Sequence, residues 1–175
     1  ETLNRFLHDG RIAAFGASNW TARRLAEAAA CAKARGYVPF RANQPQWSLA
    51  RMEVVEDPTL VQMDAALYGL HAASGLPCVP FTSQAKGFFQ KLAAGGEAAL
   101  SDKARRRYLS PRNLRLFKTV MDIRAKTGFT VTQIILGYLT SQPFPVYPIA
   151  GDATVAQALE IEAAPLPPWA MEALG

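Results

Sequence analysis

Four places in the sequence set polar side chains at the end of a short apolar run: Ser18-Asn19 after "RIAAFG", Asn43-Gln44 in "VPFRANQ", Thr82-Ser83-Gln84 after "LPCVPF", and Gly151-Asp152 closing "PVYPIAG". Most of these groups are neutral hydroxyls and carboxamides, so the chemistry open to them is hydrogen bonding. A ligand amide has a donor edge and an acceptor edge, and Ser18, Asn19 and Gln44 offer partners of both kinds. Ser18-Asn19 could instead merely cap the helix that starts beside Thr21, but a cap needs one such residue and leaves Gln44 without a role. Nucleophilic and metal chemistry have less to work with. Cys31 and Cys78 have neither metal-ligand spacing nor a nucleophile motif around them, and they read as buried free thiols. His8 ends an opening helix and His71 lies within another, where surface or packing roles are expected.

The elements that would carry these groups alternate. "ETLNRFLHDG" reads as a helix stopped by Asp9-Gly10, and "TARRLAEAAACAKARG" as a helix capped by Thr21 and ended by Gly36. The spacing predicts a further helix from Val54 to Ser74, with Pro58 in its first turn and Gly75 after its end. The segment from Ser101 to Gly128 holds one or two helices parted near Ser110-Pro111. Thr130 and Gln133 have capping-box spacing, and Phe129 and Ile134 sit at hydrophobic-staple positions. "TVAQALEIEAA" and a proline-started turn in "PLPPWAMEALG" complete the pattern. Each of the four runs between the helices is short and continuously apolar, the mark of parallel strands buried on both sides. In such βα-repeat folds the carboxyl ends of the strands face the ligand, and here all four ends are polar.

The 175 residues, 50% hydrophobic and 19% charged, suit one soluble domain with a good core. No apolar run approaches the roughly 20 residues that span a bilayer, and no signal peptide is evident. Free cysteines fit a cytoplasmic location. The net charge of +5 is scattered except for "KARRRY" (Lys103 to Tyr108). One such run reads as a solvated helix face, so neither nucleic acid nor membrane is expected as a partner. An excess of positive charge also suits a groove for an anionic cofactor.

The four strand ends, in this order, resemble the second half of an aldo-keto reductase. Gly16, Ser18, Asn19 and Trp20 match a G-x-S-N-[FW] pattern after the fifth strand, and Asn43-Gln44 an N-Q after the sixth. "FTSQAKGFF" is similar to the segment after the seventh strand, and "VYPIAG" to the eighth. The resemblance covers essentially the whole chain. It implies an α/β fold, the second half of a (β/α)8 barrel with four parallel strands alternating with helices, and an NAD(P)-dependent oxidoreductase acting on aldehydes, ketones or sugar-type carbonyls.

It also implies roles. Ser18, Asn19 and Gln44 would hold the nicotinamide carboxamide, and Phe81, in place of the commoner tyrosine, would stack on the ring. Thr82, Ser83, Gln84 and Lys86 would line the pyrophosphate path, although Lys86 also reads as an unpaired loop lysine. The helix starting near Thr154 would offer its amino end to the adenosine phosphate. Members that prefer NADP usually carry lysine or arginine just after the eighth strand, because a 2'-phosphate needs a cation. Here Gly151, Asp152, Ala153 and Gln157 stand there, and Asp152 could accept a ribose hydroxyl instead, so NAD is preferred over NADP. Glu160 matches a position that contacts the adenine amine, or is a solvent-facing glutamate. Trp20, Trp47 and Met52 are candidate walls of a substrate pocket.

The acid-base set of the family, an aspartate, tyrosine, lysine and histidine, lies in the first half of its barrel and has no match here, so no residue is assigned a catalytic role. The opening Glu1 suggests the later part of a longer protein. Three readings follow: the cofactor half of a complete reductase, a non-catalytic nucleotide-binding module, or a half-barrel that pairs with a first half or a second copy of itself.

Overall fold

A computed structural model describes residues 1–151, 154–161 and 165–175. Helices dominate: α1 (Thr2–His8), α2 (Ala22–Ala34), α3 (Ala65–Ser74), α4 (Phe88–Gly95), α5 (Asp102–Tyr108), α6 (Pro111–Thr127), α7 (Val131–Thr140), α8 (Val155–Leu159) and α9 (Pro168–Leu174). Their starts follow local chemistry. Thr21, Asp64, Ser101, Ser110, Thr130 and Thr154 each accept a backbone N–H with the side chain as N-cap. The capping box of Thr130 and Gln133 is formed in both directions.

The expectation of four regular strands is corrected. Among the described residues two strands of two residues form, β1 (Ala17–Ser18) and β2 (Asn43–Gln44), paired in parallel. At the other two places single parallel bridges join Asn43 to Cys78 and Cys78 to Val146. The four segments lie side by side in chain order, and proline shortens the ladder. Pro45, Pro77, Pro80 and Pro145 have no N–H to donate, yet their carbonyls accept from Phe81, Asn43, Ile149 and Cys78 at 2.9–3.1 Å.

The helix expected from Val54 to Ser74 is also corrected: only Ala65–Ser74 is helical. Asp57 turns the chain by accepting from both the N–H and the hydroxyl of Thr59, and Gln62 then bridges in parallel to Gln46. A helix is excluded until Asp64 caps one. Glu56 holds this segment against α5 through Lys103, Arg106 and Arg107, so the basic run is partly neutralised by a neighbouring loop.

The main core packs α4, α5, α6, α7 and α9 together around Phe88, Phe89, Tyr108, Val120 and Ile134, all nearly inaccessible. A second cluster sits behind the bridges, where Trp47 stacks on Phe144 with Cys78, Leu139 and Val146. The cysteines differ. Cys78 is fully buried and its thiol is pushed up to about 12 by desolvation, whereas Cys31, expected inside, is exposed on α2. A disulfide-exchange reagent will therefore titrate one thiol in the native protein, and the second only in denaturant.

Candidate functional site

The strand exits are built from backbone that side chains ordinarily avoid. Among the described residues Asn19, Thr82, Ala85 and Lys86 are the non-glycine residues with positive φ, at 49–57°. Each such conformation costs about 1 kcal/mol or more for an L-residue, and all four lie just after β1 or after the bridging segment that contains Cys78. Asparagine tolerates it well, but threonine at φ 56° is a strained choice.

The strain is held by tertiary bonds. The Ser18 hydroxyl donates to the Gln44 carbonyl at 3.2 Å and reaches Gln44 Oε1 at 3.4 Å. Asn19 Oδ1 accepts from the Val61 N–H at 3.0 Å, which leaves its Nδ2 as the donor edge. Ser83, buried, donates to the Ile149 carbonyl at 2.6 Å and so ties the loop after Cys78 to the Val146 segment.

A groove of about 940 Å³ opens beside these exits. It gathers Phe81, Thr82, Ser83, Gln84, Lys86, Gly151, Gln157 and Glu160, positions scattered over 80 residues of sequence. Ser18, Asn19 and Gln44, on β1, just after it and on β2, are not among the residues that line the groove. Thr154 is exposed and caps α8. Asp152 and Ala153 lie outside the described residues.

Sequence reasoning missed Gln90, Lys91 and Thr132, which line the same groove. Gln90 Nε2 donates to Gln84 Oε1 at 2.7 Å, while Gln90 Oε1 is buried without a partner among the described residues. The Lys91 ammonium donates to the Lys86 carbonyl at 3.0 Å. Thr132 had a usable signal: it lies in the first turn of α7, and helix starts in βα folds face the ligand side. Gln90 and Lys91 had none, since their direction depends on the left-handed turn at Ala85–Gly87.

The three residues expected as substrate walls differ in exposure. Trp47 and Met52 are 8% and 5% exposed and serve as core packing. Trp20 is half-buried, edge-on to Phe40 at 5.1 Å with the Arg24 guanidinium over its face at 4.1 Å.

Behind the site, His71 is wholly buried. Its Nδ1 donates to the Leu76 carbonyl at 2.7 Å, so Nε2 accepts from Asn43 Nδ2 at 3.3 Å, and the ring stacks on Phe144. Burial holds it below the ordinary imidazole range, against a smaller opposing effect of the Leu76 bond. The folded state therefore binds the proton less readily than the unfolded chain. Stability from this group is complete above the unfolded value near 6.5 and is lost as pH falls below it. Urea midpoints will drop from pH 7.5 to 5.5, and His71→Phe will flatten that dependence.

The family model that matches the chain describes the aldo/keto reductase family and spans residues 1–166. The chain belongs to that family. Among solved structures it is similar to a thermostable aldo-keto reductase, Tm1743, crystallised with the inhibitor epalrestat, at 21% identity and a TM-score of 0.62. The match covers 98% of this chain and 51% of that one, so the chain spans about half the length of its structural neighbour. No curated protein matches in sequence. As an aldo-keto reductase chain it shares the α/β architecture of a TIM-barrel family, with the short parallel ladder described above. No helix among the described residues is long and apolar enough to cross a membrane, and none of their His, Cys, Asp and Glu side chains cluster as a metal site.

Proposed function

We propose that this chain is the cofactor-binding half of an NAD(P)-dependent oxidoreductase that reduces aldehydes, ketones or sugar-type carbonyls once further strands complete it. The observation that carries this reading is the groove, where eight positions that the family resemblance ties to the cofactor share one lining. The residues fit a dinucleotide. Its volume lies in the range of small-molecule sites, and two ammonium groups, Lys86 and Lys91, stand among neutral donors and acceptors. The unpartnered Gln90 Oε1 is an acceptor in want of a ligand donor.

A nicotinamide cofactor, when bound, supplies the hydride. The chain's own residues bind and orient. Gln44 and the Nδ2 edge of Asn19 hold the carboxamide, Phe81 offers a ring face, and Lys86 and Lys91 attract the phosphates. Gln157 and Glu160 provide no cation for a 2'-phosphate, which favours NAD over NADP. The proton donor for the carbonyl belongs to a complementary half. Exposed Tyr147 and Ile149 beside the Val146 bridge, and Val155 and Leu159 on α8, 44–77% accessible, are the apolar surface that such a half, or a second copy, would cover.

The test is a titration with NADH and NADPH, followed by quenching of tryptophan emission. NADH is expected to bind more tightly, with Gln44→Ala weakening it about tenfold, the effect of one lost hydrogen bond in a shielded site. Binding of neither nucleotide by the folded chain would overturn the reading for the chain on its own.

A further inference from the structure

We propose a second ligand site, for aliphatic carboxylates, in the groove between α2 and α3. The groove holds about 1050 Å³. Pro39–Arg41 and Leu76–Pro77 line it, the residues that lead into β2 and the Cys78 bridge, so it lies at the opposite end of the strands from the nucleotide groove. Nothing in the carbonyl chemistry above calls for it.

Each helix contributes one face. Ala22, Leu25, Ala26 and Ala29 recur at helical spacing on α2, as do Ala66, Leu70 and Ala73 on α3. The alanines keep the space open because their side chains end at Cβ, while half-buried Leu70 and Phe40 supply apolar contact surface over the buried Leu25. An apolar trough takes a hydrocarbon body.

The charge decides the head group. Arg41 lines the groove, is exposed and makes no ion pair among the described residues. Arg23, also lining it, meets Glu27 at 3.8 Å with both side chains well exposed, a weak pair that a ligand can replace. A guanidinium fork matches a carboxylate in two parallel hydrogen bonds. Hydrocarbon beside an unpaired guanidinium selects a molecule with an apolar chain and an anionic end, of which a medium-chain fatty carboxylate is the simplest.

Trp20 reports on the site, because it packs against Phe40, which lines the groove. Decanoate, below its micellar concentration, and the neutral analogue decanol would be titrated against tryptophan emission. Saturable decanoate binding is expected, weakened about fivefold by Arg41→Gln while decanol is unaffected. Ala29→Phe, at an exposed helix position where folding is checked by its urea midpoint, should abolish both by filling the trough. Absence of saturable decanoate binding, equal effects of Arg41→Gln on the two probes, or binding of an acidic helical peptide in place of decanoate would each overturn the proposal.

Discussion

Replacing Asn113 with alanine is expected to lower the unfolding free energy by about 3 kcal/mol, measured by urea denaturation. Asn113 is completely buried at the start of α6. Its Oδ1 accepts from the Arg51 N–H at 3.0 Å, and its Nδ2 donates to the Arg51 carbonyl at 2.8 Å and to the Tyr108 carbonyl at 2.7 Å. One carboxamide thus joins the loop that follows β2 to the junction of α5 and α6. Alanine would leave three backbone groups without this partner, two of them part-buried at Arg51 and the Tyr108 carbonyl buried, and an unmet buried donor or acceptor costs about 1–3 kcal/mol. Aspartate separates this account from simple packing. It is nearly isosteric and can still accept from Arg51, but it sets a carboxylate oxygen against two carbonyls. At neutral pH Asn113→Asp should therefore be at least as damaging as alanine. A near-native midpoint for the aspartate variant would show that shape, and not the donor pair, matters at this position.

The second large effect is expected at Gly16. A Cβ placed there would lie 2.7 Å from the Ala42 carbonyl oxygen and 3.3 Å from its carbon. That oxygen already accepts from the Ala17 N–H at 3.0 Å, the bond that sets the register of β1 on β2. The obstacle is backbone, so it cannot swing aside as a side chain would. Gly16→Val should cost about 2–4 kcal/mol by forcing the two strands apart, combining overpacking with a lost ladder bond. It should also weaken nucleotide binding, because Ser18 and Gln44 face each other only in that register. Trimming the neighbour with Ala42→Gly will not rescue the variant. Rescue would place the clash on the Ala42 side chain and refute the backbone account.

Much of this was legible beforehand because its causes are local. Thr21 and Thr130 cap helices through bonds to residues three positions on, and nothing distant is needed to read them. The order of the strand-forming runs was likewise carried by apolar stretches ending in polar pairs. The segment from Val54 to Asp64 was misread because its conformation answers to Gln46, 16 residues before Gln62, and to Asn19, 42 residues before Val61, and not to its own propensities. The packing of Trp47 was not legible for a related reason. A tryptophan after a strand can face a ligand or a core, and Phe144, Tyr68 and Tyr138 decide for the core.

The sequence by itself determined the alternation of helix with apolar run, the Thr21 and Thr130 caps, the polar pairs that close the apolar runs and, through them, the family. Those properties depend on neighbours in the chain, whose spacing is written in the residue order. Only the tertiary structure decided that Gly16 meets the Ala42 backbone, that Gln90, Lys91 and Thr132 join the groove, and that Asn113 and His71 hold elements together from inside. Each depends on groups far apart in sequence being brought within hydrogen-bond or contact distance, and that proximity comes from packing.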